Sequence, residues 1–375
     1  MISVADPCVA VGILAGLKGM GPHRLDRLLQ RYDPLTALAV IADGTAPPSV
    51  ADVVLRREWQ TSVTNADPAV VARRLAASAI TVTYRGHPDH PPRLANDLDP
   101  APVLFRRGRG LSGPEPKVAV IGTRRATGLG REVARELGFG LSAAGVRVVS
   151  GLAIGVDGAA HYGAVAAEGA APLAVVGGGP DVIYPKRHAG LWASVINVGT
   201  LGSEAPPGAP PVAWRFPARN RLIAALADLV VVVESRAVGG SMLTVNEAIR
   251  RGREVMAVPG SVRNPAAVGT NRLISEGCAP VTSVDDVLVG LGLMGAVPTV
   301  PNEPLGVANP PSVPEHLRSV LDAVDDGPTS MEEICVRSDL PVVVLLAAID
   351  ELVSLDLVVR DGVRVCRSSP SGDQS

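Results

Sequence analysis

The sequence predicts an α/β protein in which a doubly wound, mostly apolar parallel sheet stands between two smaller domains. Three observations support this fold class. Five short apolar runs alternate with helical stretches in the middle of the chain, the preceding 80 or so residues show only helical spacing, and the end combines helices with a hairpin-turn signal. A chain of 375 residues that is 47% hydrophobic can bury a full α/β core and carry a domain on each side.

Residues 1–83 are predicted to form a small all-α domain. Apolar residues recur at helical spacing through 24–32 and again through 70–75. Residues 17–25 have the pattern of a helix, a Gly-x-Gly turn and a second helix, as in a helix-hairpin-helix. Such a hairpin can present backbone amides to a DNA phosphate, and the same pattern is equally typical of a simple corner between helices. Both interpretations stay open at this stage.

Residues 84–297 are predicted to form a Rossmann-like domain. Prolines concentrated between Tyr84 and Gly110 indicate an extended connector at its start. The continuous, β-branched character of the apolar runs is typical of parallel strands that helices cover on both faces. The predicted strands are 118–121, 146–149, 173–176, 229–233 and 255–258.

The remaining residues predict a linker, a third domain and a tail. Residues 298–313 are rich in proline, and 314–367 contain two or three helices followed by the turn signal Asp361-Gly362, which is typical of a winged helix. The best candidate for a recognition helix, 341–355, has acidic residues and neither arginine nor lysine, so it is better suited to a protein partner than to a DNA groove. Residues 368–375 are expected to be disordered.

Charge and cysteine content set broad limits on function. The formal net charge of −2 means that any nucleic-acid site must be a local patch. Four cysteines without a CxxC pair fit a reducing cytoplasm. The N-terminus lacks a signal-peptide pattern, and no run reaches about 18 apolar residues, so secretion and membrane insertion are not expected.

The loop at residues 122–128 is the strongest candidate for a phosphate site. It follows the first central strand and precedes a helix that resumes near Leu129, so backbone N–H groups and the helix dipole point toward one position. Gly122 allows close approach, while Arg124 and the hydroxyls of Thr123 and Thr127 can complete the contacts to an anion. The alternative is that the glycines only permit a tight turn.

Polar and basic groups also follow the other predicted strands. They are Ser150, Gly151, Lys186, Arg219, Asn220, Arg221, Gly240, Ser241 and Asn271. The carboxyl ends of parallel strands share one crevice, so these groups are expected to meet a ligand together with the loop at 122–128. The alternatives are a solvated helix start for Arg219 and Arg221 and an N-cap role for Ser241.

Common nucleotide cofactors do not fit this pattern. A nicotinamide dinucleotide site would place an acidic residue after the second strand, where Ser150-Gly151 stands, and no GxxxxGK[ST] sequence is present for ATP. Asp157 lies at a helix start and is more typical of an N-cap than of a general acid or base. The sequence thus indicates no catalytic residue, metal or cofactor.

Taken in order, five motifs resemble the DNA-processing protein A family (DprA/Smf). They are VIGTRRATG at 120–128, SGLAIGVDGAAH at 150–161, FPARNRLIA at 216–224, GREVMAVPG at 252–260 and GTNRLI at 269–274. The resemblance extends from about Gly86 to Leu288. By analogy, the family's Gly-Ser/Thr-Arg phosphate loop falls on Gly122, Thr123 and Arg124, and its Arg-Asn-Arg segment on residues 219–221.

The resemblance implies a function as well as a fold. It implies an extended Rossmann domain that binds single-stranded DNA without hydrolysing it, an N-terminal sterile-alpha-motif-like domain, a C-terminal winged helix, a homodimer, and loading of the RecA recombinase during natural transformation. Lys186 and Asn271 match positions that line the family's pocket. Ile154 and Ala218 replace basic residues of relatives, which would weaken contacts to phosphate.

An enzyme is the rival interpretation. Nucleotide-monophosphate phosphoribohydrolases use a related Rossmann fold with a Pro-Gly-Gly-x-Gly-Thr-x-x-Glu loop, and VGGSMLTVNE at 238–247 is similar to it. The proline and one glycine are absent, and Thr244 and Glu247 are each displaced by one position.

Overall fold

The computed structural model describes residues 5–111, 113–293, 315–324, 329–338, 340–354, 357–361 and 364–367. The chain divides into two compact units, Met1–Val297 and Pro298–Ser375. The predicted linker at 298–313 and the predicted tail at 368–375 lie outside the described residues. Within the described part, no helix has the length and apolar character needed to cross a membrane.

Five helices open the first unit. They are α1 (Pro7–Gly16), α2 (Pro22–Leu29), α3 (Pro34–Ala42), α4 (Val53–Thr64) and α5 (Pro68–Ala77). Aspartate caps four of them, and in α1, α3 and α5 a proline follows the cap at the first helical position, where a missing N–H costs nothing. Their apolar faces enclose Trp59, whose indole N–H donates to the Lys18 carbonyl at 2.8 Å.

A nine-stranded sheet follows, in the spatial order β1-β2-β6-β5-β4-β3-β7-β8-β9. Its strands are β1 (Thr81–Tyr84), β2 (Val103–Gly108), β3 (Lys117–Ile121), β4 (Arg147–Ser150), β5 (Leu173–Val175), β6 (Thr200–Ser203), β7 (Leu229–Val232), β8 (Glu254–Ala257) and β9 (Ala279–Pro280). From β6 to β9 every neighbouring pair is parallel, whereas β1 and β2 are antiparallel additions at one edge. The predicted central strands 118–121, 146–149, 173–176, 229–233 and 255–258 correspond to β3, β4, β5, β7 and β8.

Helices cover both faces of the sheet. They are α6 (Pro92–Ala95), α7 (Gly128–Ala143), α8 (Val156–Ala166), α9 (Ala189–Val198), α10 (Arg215–Leu226), α11 (Gly240–Arg250), α12 (Val268–Ser275) and α13 (Val284–Gly290), with a short 3-10 helix at Lys186–His188. Alternate residues of β3 enter opposite cores: Val118 and Val120 pack on the α7 side, and Ala119 and Ile121 pack on the α10 side. The doubly wound core is therefore confirmed.

The order of the strands creates a switch point between β3 and β7. The chain winds from β3 through β4 and β5 to β6 in one direction, then returns to the other side of β3 and continues from β7 to β9. At such a reversal the loops after the two central strands separate and leave a crevice at the carboxyl edge. The crevice therefore lies between the loop after Ile121 and the loop after Val232.

The segment between Tyr84 and Gly110 is more than the extended connector that its prolines predict. It contains α6 and β2, and β2 pairs with both β1 and β6. The prediction failed because most of these prolines lie in the turns around α6 and leave β2 itself free of proline. β1 crosses the predicted boundary between residues 83 and 84, so the helical segment joins the sheet directly. The assignment of residues 1–83 as a separate domain stays a prediction.

A buried histidine holds this segment in place. His90 accepts at Nδ1 from the Thr83 hydroxyl at 3.1 Å and donates from Nε2 to the Ala101 carbonyl at 2.8 Å, roles assigned from the partners. Burial lowers the pKa of His90 to about 4, and the bond to the carbonyl opposes this shift only in part. The imidazole is therefore neutral in the folded protein near neutral pH.

The second unit contains α14 (Glu315–Ala323), β10 (Thr329–Ser330), α15 (Met331–Ser338), α16 (Val342–Ser354), β11 (Val358–Asp361) and β12 (Arg364–Arg367). The three strands form a sheet in the order β10-β12-β11, and β11 pairs antiparallel with β12. Gly362 of the predicted Asp361-Gly362 turn lies outside the described residues. Helices followed by a hairpin are thus present, and the winged-helix assignment itself stays a prediction.

Candidate functional site

A cleft of about 740 Å³ opens at the switch point. Its walls come from the loop after β3, the start of α8, the segment leading into α10, and the loop between β7 and α11. The charged residues among those that line it are Arg124, Arg125, Arg219, Arg236 and Asp157. Four guanidinium groups thus share the cleft with one carboxyl group, which makes it a local basic site on a chain of net charge −2.

The loop at 122–128 is fixed by contacts across the switch point. The N–H of Thr123 donates to the Glu234 carbonyl at 2.7 Å, and the Thr123 hydroxyl accepts from the N–H of Arg125 at 3.2 Å. A Cβ at Gly122 would lie 2.5 Å from Cγ2 of Val156 and 2.8 Å from the Glu234 carbonyl oxygen. Gly122 is therefore required for close packing of the loop.

Glu234 anchors the start of α7 from the loop that follows β7. Its carboxylate accepts from the N–H of Thr127 at 2.9 Å and from the Thr127 hydroxyl at 2.7 Å, while the amide of Asn264 approaches at 3.3 Å. The Thr127 hydroxyl in turn accepts from the N–H of Gly130 at 2.9 Å and caps α7. The Thr127 hydroxyl thus has a structural role in the loop, and Thr127 does not line the cleft.

Arg124 and Arg219 differ in exposure. Arg124 is exposed, and its guanidinium lies 4.9 Å from the ring centroid of Phe216. Arg219 is 6% exposed and donates to the Val175 carbonyl, and burial lowers its pKa to about 10 although Asp157 opposes the shift. The cleft thus has one exposed arginine, Arg124, and one buried arginine, Arg219, whose guanidinium is fixed by a backbone carbonyl.

Gly151 makes room for Arg219. A Cβ on this glycine would lie 2.1 Å from Nη1 of Arg219, and the N–H of Gly151 donates to the Asp157 carboxylate at 3.2 Å. Burial raises the pKa of Asp157, and the nearby Arg219 lowers it. Gly151 lines a smaller cavity beside the cleft, together with Ile154. The structure thereby places the glycine as a spacer beneath the buried arginine.

The structure brings seven of the thirteen predicted site residues into the cleft. They are Gly122, Thr123, Arg124, Arg219, Asn220, Gly240 and Ser241. Ser150 is fully buried and donates to the Val120 carbonyl at 2.7 Å, and the side-chain amide of Asn271 is bonded at both ends to Gly260. Lys186 is exposed in the 3-10 helix and is absent from the cleft lining.

Arg221 lies in a buried ion pair. It donates to both carboxylate oxygens of Glu204 at 2.6 Å and to the Asp99 carbonyl at 2.7 Å. Arg219 and Arg221 lie inside α10 and are 6% and 7% exposed, so the alternative of a solvated helix start is wrong for both. It fails because each guanidinium has acceptors in segments distant in sequence, the end of β5 for Arg219 and two loops for Arg221, which the local sequence does not reveal.

Two predicted caps are also wrong. Gly155 and Gly239 occupy the N-cap positions of α8 and α11. Asp157 and Ser241 are therefore the second residues of these helices and not their caps. The Ser241 hydroxyl instead bonds the Ser235 hydroxyl at 2.8 Å. At Gly155 the φ is 86° and a Cβ would collide with the Thr123 carbonyl, so this cap requires glycine, whereas a Cβ at Gly239 would have space.

Sequence reasoning missed several residues of the site. Arg125 and Arg236 are exposed and line the cleft, as do the aromatic rings of Tyr184 and Phe216. The sequence could have pointed to Arg125, which is adjacent to Arg124. It could also have pointed to Arg236, which follows the predicted strand at 229–233. Glu234 gave none, because its contacts depend on the meeting of two strands.

Comparison with known proteins identifies the family of this chain. The family model described as DNA recombination-mediator protein A matches residues 81–292. Protein Smf of Escherichia coli (strain K12) is 34% identical over 265 residues, which cover 70% of this chain and 71% of that protein.

Two solved structures extend the comparison. The crystal structure of DNA processing protein A from Streptococcus pneumoniae covers 76% of this chain and 98% of its own at 30% identity and a TM-score of 0.64. DNA processing protein A from Helicobacter pylori, described with a single-stranded DNA binding mode, covers 57% and 97% at 27% identity and a TM-score of 0.51. The chain belongs to the DNA recombination-mediator protein A family, the family of DprA and Smf DNA-processing proteins.

Proposed function

We propose that the cleft binds the phosphate backbone of single-stranded DNA and does not hydrolyse it. The observation that carries this proposal is the set of four arginines facing one cleft at the carboxyl edge of the sheet. Guanidinium groups match phosphate oxygens in pairs of hydrogen bonds, and several of them along one cleft can follow a chain of phosphates.

Contacts to the bases are expected to be limited. Aromatic residues make up 3% of the chain, and two of them, Tyr184 and Phe216, line the cleft. The rings lie 5.6 Å apart between centroids, and Arg124 also packs on Phe216. Binding is therefore expected to depend on the backbone, with weak preference among base sequences.

A mobility-shift titration tests this proposal. Single-stranded and double-stranded oligonucleotides of equal length are compared at the same ionic strength, and tighter binding of the single strand is the expected result. A preference for duplex would contradict the proposal and would direct attention to the predicted hairpin and winged-helix elements. Single-stranded RNA of the same length provides a further comparison, because it has the same charge and a 2′-hydroxyl.

The phosphoribohydrolase alternative finds less support. Residues 238–241 and Thr244, at the start of α11, do line the cleft. Glu247, the acidic residue of the similar motif, is instead bound to Arg250 at 3.1 Å and to Arg251. Glu247 is held in these ion pairs and is not among the residues that line the cleft. Incubation with AMP followed by chromatography checks this point, and steady release of adenine would favour the enzyme.

The wider biological role rests on the family alone. We propose that the protein acts in the cytoplasm as a homodimer, protects incoming DNA during natural transformation and loads the RecA recombinase. A RecA filament-assembly assay on DNA coated with single-strand-binding protein tests the loading step, and no acceleration by this protein would contradict it.

A further inference from the structure

A second open cavity, of about 750 Å³, lies between the turn that joins α1 to α2 and the segment at 206–215. We call it the hairpin groove. The side chains that give it its character are Lys18, His23, Arg24, Arg27, Trp214 and Arg215. The groove therefore contains the Gly-x-Gly hairpin of the helical segment, which the proposed function does not use.

The charge of the groove is one-sided. No carboxylate is among the residues that line it. Arg24 and Arg27 are held by backbone carbonyls of Gly19, Val50 and Ser49 at 2.7 to 3.2 Å, contacts that orient the guanidinium groups without neutralising them. Lys18 approaches Glu58 at 3.3 Å, but both side chains are well exposed, so this pair contributes little.

Arg215 provides an independent sign of an anionic ligand. Its Nε and Nη1 atoms are buried and have no hydrogen-bond partner in the described part of the chain. Burial lowers the pKa of Arg215, and no neighbouring carboxylate raises it. Arg215 is half-buried and lines the groove, so an oxyanion bound there would give this arginine the anionic partner that it lacks among the described residues.

The groove adjoins the cleft through one shared wall. Residues 206–210 together with Trp214 and Arg215 line the groove, while Pro211, Ala213 and Phe216 from the same segment line the cleft. Trp214 is 57% exposed, and its ring lies 5.1 Å from the Arg215 guanidinium. An exposed indole beside cations is a suitable platform for a base.

We propose that the hairpin groove is a second nucleic-acid site, which takes the phosphates of the same single strand as it leaves the cleft and stacks a base on Trp214. This inference rests on the proposed function of the cleft. A single strand explains the shared wall better than a separate acidic protein segment would, because a polymer longer than the cleft can continue past Pro211 and Ala213 into the groove.

Tryptophan fluorescence gives a direct readout. The chain has three tryptophans, and Trp59 and Trp192 are 0% and 1% exposed, so a base stacking on an exposed ring reports on Trp214. Quenching is expected with oligo-dT of about 20 nucleotides and not with oligo-dT of about 6, which fills only the cleft. Trp214→Phe should remove the quenching while binding persists.

Salt titrations of the double variant Lys18→Gln/Arg27→Gln test the phosphate contacts. Loss of two contacts should reduce the salt slope for the long oligonucleotide by about 1.4, so that raising salt fourfold weakens wild-type binding about 7-fold more than binding of the variant. Affinity for the short oligonucleotide should be unchanged. Arg73→Gln, at a side chain 71% exposed that lines neither cavity, is the control for loss of an exposed charge, and it should leave the salt slope unchanged.

The two hypotheses fail differently. If wild-type protein binds both oligonucleotides, and the double variant matches it in affinity and salt slope at both lengths, the groove inference is wrong and the cleft proposal stands. If wild-type protein binds neither oligonucleotide, the cleft proposal is wrong, and the groove inference, which rests on it, is wrong as well. Unfolding curves of the variants, which should match the wild type, exclude a general loss of structure.

Discussion

Replacing Arg124 with alanine removes one exposed cation from the cleft without disturbing its frame. The side chain packs over Phe216 and makes no salt bridge among the described residues, whereas the loop itself is held by backbone contacts to Glu234. The variant should therefore fold as the wild type does. Its effect should appear in DNA binding alone.

The expected magnitude follows from the four arginines of the cleft. If each neutralises one phosphate, the slope of log Kobs against log salt is about −2.8, and a rise from about 50 to about 200 mM salt weakens binding about 50-fold. With Arg124→Ala, three contacts give a slope of about −2.1 and a loss of about 18-fold. At fixed salt, one lost contact at an exposed position should cost about 1 to 2 kcal/mol, or about 5- to 30-fold in affinity.

Fluorescence anisotropy with labelled oligo-dT at four or more salt concentrations measures both quantities. The control is Arg73→Ala, which removes the same charge from an exposed position that does not line the cleft. Equal slopes for Arg124→Ala and wild type would show that Arg124 makes no phosphate contact. A slope change as large in the control would show that total charge, not the cleft, governs binding.

Three further predictions concern the supports of the site and the fold. Gly151→Ala should displace the Arg219 guanidinium and lower DNA affinity about 10-fold by the same titration, since one charged contact is lost. Glu234→Gln should leave Thr127 with fewer acceptors, lower the free energy of unfolding in denaturant by about 2 kcal/mol, and weaken DNA binding; wild-type values would contradict this role. Burial lowers the pKa of His90 from 6.5 to about 4, so between these values the unfolded chain binds a proton that the folded chain does not, and stability falls as pH falls. In wild type, His90 should account for about 2 kcal/mol of the free energy of unfolding that is lost between pH 7.5 and pH 5, and His90→Gln should remove this part of the loss. Urea unfolding measures it, and between pH 7.5 and 9 variant and wild type should show the same pH dependence.

The central sheet could be predicted because its signal is local. β3, β4, β5, β7 and β8 are continuous apolar runs, and such runs need helices on both faces. β6 has the sequence Thr-Leu-Gly-Ser, and β9 has two residues, so neither carries that pattern. Their place in the sheet depends on neighbours that are distant in sequence.

The loop at 122–128 could be identified from its position after the first strand. The sequence could not show which of the polar residues around it face the cleft and which hold the fold together. Ser150 and Arg221 have side chains that suit a phosphate site, and both are used by buried partners, the Val120 carbonyl and Glu204. The sequence shows that these residue types can bind phosphate, but it does not show which partner each side chain has in the folded protein. Only the folded chain shows which cations remain available for a ligand.

The two borders of the nine-stranded sheet limit how two copies of the chain can associate. β9 is two residues long and ends in Pro280, which has no N–H to donate. At the other border α1 lies against β1, and the thiol of Cys8 donates to the Val82 carbonyl at 3.5 Å. Neither border offers a long row of backbone groups for strand addition. The proposed homodimer is therefore expected to join through side chains, so that charge or size changes on helices and loops should alter its dissociation constant.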